Sequence, residues 1–182
     1  NVAVGFSAGA QVTTGIYNTL IGGLAGDALT TGGSNVALGI SALSLDTAGS
    51  RSIAIGSDAL ASQNFTSATN AYNTAVGDSA GKLISTGVQN TLIGGLAGDA
   101  ITTATDSVAL GYLALTSTTT GIRNHAIGRQ SLHNNTTGAD NVGVGSSSLF
   151  ANTTGFYNVA VGTDALVTNT TASNNTAVGY AA

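Results

Sequence analysis

The chain has no cysteine, proline, methionine or tryptophan, and no glutamate, so its eight acidic residues are all aspartate. Without cysteine there is no disulfide framework, and the redox compartment stays open. Only 7% of residues are charged, four Lys or Arg standing against those eight Asp for a net charge of −4. That balance lacks the basic footprint that neutralises a nucleic-acid backbone, so no nucleic acid is expected as a partner. Glu, Lys, Gln and Arg are scarce while Thr, Val, Ile and Asn are plentiful, which argues for strands and against helices. No run of about 18 apolar residues occurs, so no helical membrane span is expected, and no secretory leader is recognisable. Glycine is the exception to this austerity: there are 26, most of them at fixed intervals.

Those intervals organise everything else. NTLIGGLAGDAL at residues 18–29 returns as NTLIGGLAGDAI at residues 90–101, and the pentad that opens it recurs eleven times. The pentads end on Gly5, Gly22, Gly39, Gly56, Gly77, Gly94, Gly111, Gly128, Gly145, Gly162 and Gly179, 17 residues apart except for one gap of 21. A fixed period of this length is the signature of a solenoid, in which each unit is one coil and buries its apolar side against its neighbours. The expected fold is therefore an all-β parallel β-solenoid with one coil per unit. It forms one segment, residues 1–182, with ten full repeats, a partial eleventh and a four-residue insertion within 62–70. A start without Met and a stop inside the eleventh unit read as a piece of a longer chain. Units one to four also resemble units five to eight at an offset of 72 residues, as a block duplication would leave them.

We number the slots of a unit from one to seventeen. Slot one is Asn1, Asn18, Asn35, Asn73, Asn90, Asn124, Asn141, Asn158 and Asn175, with Ser52 and Ser107 in the other two units. Stacked coils turn these residues into a ladder of amides, each bonded to those above and below. Slot four is always aliphatic: Val4, Ile21, Leu38, Ile55, Val76, Ile93, Leu110, Ile127, Val144, Val161 and Val178. These are the expected core aliphatics. Slot three, on the other side of a strand, is always Ala, Leu or Gly, so both strand faces look covered, as in buried parallel sheets. Cover on both faces favours a parallel homo-oligomer, and a trimer is the expected number.

A compensation runs through the second half of the unit. Where slot nine is Gly (Gly9, Gly26, Gly81, Gly98), slot twelve is aliphatic (Val12, Leu29, Ile84, Ile101). Where slot nine is Leu (Leu43, Leu115, Leu132, Leu149, Leu166), slot twelve is polar (Asp46, Thr118, Asn135, Asn152, Asn169). Close-packed interiors require this, and the two slots are expected to address one volume. Thr-Thr-Gly at slots thirteen to fifteen closes the coil.

The pentads Asn35-Val-Ala-Leu-Gly39, Ser52-Ile-Ala-Ile-Gly56 and Ser107-Val-Ala-Leu-Gly111 resemble the head repeats of trimeric autotransporter adhesins. The longer pattern at residues 124–138, 141–155 and 158–171 is similar to repeats of bacteriophage tail fibres and large bacterial surface proteins. The resemblance implies left-handed parallel β-rolls, three chains side by side, in an extracellular, cell-surface or virion location. It implies a structural fibre or stalk segment of an adhesin or tail fibre.

His125 and His133 lack the carboxylate or cysteine company of a metal pair, only Asp140 being near in sequence. Asp27 and Asp99 follow a Gly-Gly-x-x-Gly run that departs from the calcium nonapeptide, so no metal, cofactor or catalytic residue is expected, and the chain reads as no enzyme. The insertion presents the least uniform surface, with Asn64, Phe65 and Tyr72 as a candidate contact loop for a cell-surface glycan. The threonine rows allow an ice-binding face as a further alternative.

Overall fold

The computed structural model describes all residues, 1–182, and contains no helix. Eleven three-residue strands stack into one parallel sheet: β1 (Val2–Val4), β2 (Thr19–Ile21), β3 (Val36–Leu38), β5 (Ile53–Ile55), β7 (Thr74–Val76), β8 (Thr91–Ile93), β9 (Val108–Leu110), β10 (His125–Ile127), β11 (Val142–Val144), β12 (Val159–Val161) and β13 (Thr176–Val178). The two remaining strands, β4 (Gly49–Ser50) and β6 (Thr69–Asn70), pair beside the insertion. Register is slot for slot: Ala109 pairs Ala126, which pairs Gly143, which pairs Ala160. The chain is a parallel β-solenoid of about ten turns with a 17-residue period.

Strands are short, yet the remainder of each coil is laddered too. Of 120 backbone hydrogen bonds, 99 lie outside regular strand pairing, so the turns carry most of the stacking. In coil nine the amides alternate. Ser148, Phe150 and Asn152 donate within the coil to the carbonyls of Gly145, Ser147 and Leu149, whereas Leu149 and Ala151 donate to Ala165 and Val167 of the next coil. The closing Thr-Thr-Gly does the same with three converging donors: the amides of Thr136, Thr137 and Gly138 all point at the Thr153 carbonyl, at 2.9, 3.3 and 3.2 Å. Most backbone amides of the turns thereby find a partner one coil away or three residues away.

Glycine at slot five is required by this stacking. At Gly94 φ is 134°, and an added Cβ would lie 2.6 Å from the carbonyl oxygen of Gly111 in the next coil. Both the left-handed backbone and the space exclude a side chain there.

The core corrects one expectation. Slot three faces the interior: Leu20, Ala37, Ala54, Ala75, Leu92, Ala109, Ala126 and Ala160 are fully buried. The slot-four residues, from Val4, Ile21 and Leu38 through Ile55, Val76, Ile93, Leu110, Ile127, Val144 and Val161 to Val178, point outward from the single chain and are not its core; Leu38 and Leu110 stay 43% and 44% exposed. The reason is room. Strand alternation allows only one of slots three and four inside, and the interior is already filled from slots eight, nine and twelve, leaving width for little more than a methyl at slot three.

Slots nine and twelve do share a volume: Leu43, Leu60, Leu115, Leu132 and Leu149 at slot nine, and Leu29, Ile84 and Ile101 at slot twelve, are all fully buried. A Cβ at Gly98 would come within 2.8 Å of Ile101 Cδ1 and 2.9 Å of a Leu92 methyl. Leu20 and Leu92, the two large slot-three residues, accordingly sit in coils whose slot nine is Gly. Coil nine extends the trade to polar groups. There Gly143 occupies slot three, and a Cβ would meet Ser148 Oγ at 2.9 Å. Gly98→Ala is expected to lower stability by about 1–3 kcal/mol through overpacking. The double variant Gly98→Ala/Ile101→Val should cost less than the sum of its singles, read from urea unfolding.

Candidate functional site

The chemically distinctive groups form columns along the coil. The slot-one asparagines stack, but their bonds differ from an amide-to-amide ladder. Each side-chain carbonyl accepts the backbone N–H of the next slot one, as Asn124 Oδ1 does from Asn141 at 3.1 Å and Asn141 Oδ1 from Asn158 at 3.0 Å. Except at the terminal Asn175, each amide donates across its own coil to the slot-fifteen carbonyl: Asn124 to Gly138 at 2.7 Å, Asn141 to Gly155 at 2.8 Å. Contacts between amides are additional, from 3.3 Å for Asn90 Nδ2 to Asn73 Oδ1 down to 2.9 Å for Asn175 Nδ2 to Asn158 Oδ1. The asparagine therefore does two jobs, closing its own coil and docking the next. Asn18, Asn35, Asn73, Asn90, Asn124, Asn141 and Asn158 are buried; Asn1 is exposed and Asn175 half-buried, at the two ends.

A second polar column faces the first. Asn135 donates to Thr118 Oγ1 at 3.3 Å, Asn152 to Asn135 Oδ1 at 2.9 Å, and Asn169 to Asn152 Oδ1 at 3.1 Å. These slot-twelve amides also reach the slot-fifteen carbonyl, so Gly138 O accepts from both Asn124 and Asn135. The sequence marked these positions as polar alternates to an aliphatic; their stacking was the part left unread.

The two columns merge once, beneath the insertion. Ser52 makes no side-chain bond to the next coil, and Gln63 bridges the gap. Its Nε2 donates to Ser52 Oγ at 2.9 Å and to Asp46 Oδ2 at 2.7 Å, and its Oε1 accepts from Asn73 Nδ2 at 2.8 Å. Asp46 Oδ1 also accepts the backbone N–H groups of Gly49 and Phe65, both at 3.0 Å. Asp46 and Gln63 are fully buried. Burial pushes the Asp46 carboxyl above its usual 3.8, against the pull of the bonds from Gln63, Phe65 and Gly49.

The insertion corrects a second expectation. Asn64 and Tyr72 are exposed, but Phe65 is buried and belongs to the inside of the loop rather than its contact surface. The Phe65 carbonyl still pairs with the Ala48 amide at the regular offset, whereas Gly49 pairs with Thr69, so the surplus residues begin at Thr66. A side chain anchored inward at the loop's base explains why the bulge leaves the coil intact. Arg51 lies 5.8 Å from the Tyr72 ring centre and donates to Asn70 Oδ1 at 3.0 Å.

The remaining ionisable groups sit apart. His125 is exposed on the strand face, while His133 stacks on Phe150 of the next coil at 4.9 Å on the turn side. Asp140 is engaged by Arg123, Nε to Oδ1 2.6 Å, and the guanidinium holds its carboxyl below 3.8. Asp99 accepts the Thr116 hydroxyl, and Lys82 pairs with Asp58 at 2.9 Å. Asp27 keeps one buried oxygen without a partner. The slot-thirteen threonines turn their hydroxyls to the next coil's carbonyls, Thr30 to Thr47 at 2.9 Å and Thr136 to Thr153 at 3.1 Å, so that row is occupied in coil-to-coil bonding. The surface holds no pocket.

Compared with protein families, curated proteins and solved structures, the chain finds no match in any of the three.

The Asp46 node gives a signed expectation. A carboxyl raised in the folded state contributes stability that is complete below the unfolded value near 3.8 and is lost as pH rises through the raised value. Chemical unfolding across pH 3–7 should show this decline in the native chain. Asp46→Asn, which gives slot twelve the amide found at Asn135 and Asn152, should flatten it.

Proposed function

We propose that this chain is a structural shaft, a stalk or fibre segment of a surface adhesin or a phage tail fibre, working as a parallel homotrimer outside the cell or on a virion. The observation that carries the reading is the unbroken slot-for-slot stacking of eleven strands. At about 4.8 Å per strand it makes a rod of roughly 50 Å from this segment alone. A solenoid of this kind has nearest-neighbour contacts only, so its length is set by repeat number and its stiffness by the continuous ladder. The resemblance of the pentads to adhesin heads and tail-fibre repeats supports the trimer, the left hand and the extracellular setting. Function on this reading is display and spacing, with no substrate turned over.

A second reading has the insertion touch a glycan or another surface, favoured by exposed Tyr72 beneath Arg51 and beside Asn70. Asn70→Ala/Tyr72→Ala abolishes attachment under that reading and leaves it unchanged under the first. Electron microscopy of the native assembly tests the shaft directly. A threefold rod projecting from an envelope or particle is expected; a compact particle with no rod would overturn the proposal.

A further inference from the structure

The reading of the chain as a parallel homo-oligomer leaves open which side of the coil joins the copies, and the inference here rests on that reading. The outer face of the main sheet is made by slots two and four. Slot four is aliphatic in all eleven coils, and slot two is Val, Ile or Thr in every coil except the one carrying His125. No lysine, arginine or aspartate occupies either slot. The charges lie elsewhere: Arg123 and Asp140 at slot seventeen, and Lys82 and Asp58 on the turn side, are paired with each other on the solvated surfaces.

The strip therefore carries no Lys, Arg or Asp, and apart from Thr19, Thr74, Thr91, Thr176 and His125 it is aliphatic. Monomeric soluble proteins rarely expose contiguous apolar patches of more than a few hundred Å². Eleven strands of three residues span roughly 50 Å by 10 Å, so facing two such strips removes on the order of 1,000 Å² from water. That reaches the lower bound of about 1,000 Å² for a biological interface. The strip is also corrugated once per coil, and a second copy repeats the corrugation at the same spacing along its whole length.

We infer that the slot-two and slot-four face is a self-docking surface, turned toward the same face of the other copies of the parallel, in-register trimer, so that each coil meets its own counterparts. Slot four then becomes the core of the assembly although it lies outside the core of the chain.

The absence of cysteine makes the test clean, because any thiol introduced is the only one. Ile21→Cys in coil two and Val161→Cys in coil ten lie on the face, and Leu45→Cys lies on the exposed turn side as a control. Under mild oxidation Ile21→Cys alone, and Val161→Cys alone, should each give a disulfide-linked pair on a non-reducing gel. Leu45→Cys should stay unlinked. Leu38→Lys/Leu110→Lys should weaken association at least 100-fold by sedimentation, with the circular dichroism spectrum unchanged. If Leu45→Cys links and the face thiols do not, this surface is the wrong one while the oligomer stands. Linkage only in a mixture of Ile21→Cys and Val161→Cys means antiparallel docking and overturns the register. A native chain that sediments as a monomer removes the oligomer itself, and the inference with it.

Discussion

Each coil must put its amides and carbonyls directly beneath those of the next, and nearly every residue choice in this chain answers to that constraint. A backbone group buried without a partner costs about as much as a lost hydrogen bond, on the order of 1–3 kcal/mol. The penalty recurs in every coil, so small misfits cannot be tolerated one at a time. Slot-five glycine admits the neighbouring carbonyl where a Cβ would collide with it. Slot-one asparagine supplies a donor and an acceptor just where the chain turns into the strand and regular pairing is lost. Where serine interrupts that column at Ser52, a buried glutamine from slot twelve bridges the Ser52 hydroxyl and the Asn73 side-chain amide.

Constant pitch also means constant cross-section, which explains the trading within the core. The interior takes one large aliphatic from slot nine or slot twelve. A leucine at slot three is admitted only where slot nine is glycine, as in the coils of Leu20 and Leu92. Leucine at slot nine is held at a left-handed φ near 50–55°, 51° at Leu132 for example. That conformation costs an L-residue roughly 1–2 kcal/mol. Burying the leucine side chain, worth about 1.5–3 kcal/mol, offsets it. Glycine in the same slot avoids the strain and leaves the filling to slot twelve. The two solutions are near enough in energy for one chain to use both.

Much of this was legible before any coordinates. Period, strand position, parallel stacking and the slot-nine with slot-twelve exchange follow from spacing and side-chain volume, because both repeat eleven times. The side of the strand was misread at slot four, since large aliphatics read as core and small residues read as filler. In a coil this narrow the order inverts: alanine at slot three marks the inside because nothing larger fits where slot nine is leucine, and the Val, Ile and Leu of slot four face out. Phe65 was misread for a related reason. An aromatic within an insertion looks like a contact residue, and only its position before the surplus residues shows that it still occupies a regular slot. The Asp46–Gln63 node was hidden because both residues depart from the repeat in ways that become meaningful only together.

Whether one seventeen-residue unit is one turn of the backbone is answered most directly by changing the number of units. Duplicating residues 107–174, four whole units, should lengthen the rod by about 19 Å at unchanged cross-section, as four strands at 4.8 Å require, measured by small-angle X-ray scattering. A thicker particle of unchanged length, or loss of the β-sheet spectrum, would contradict the account.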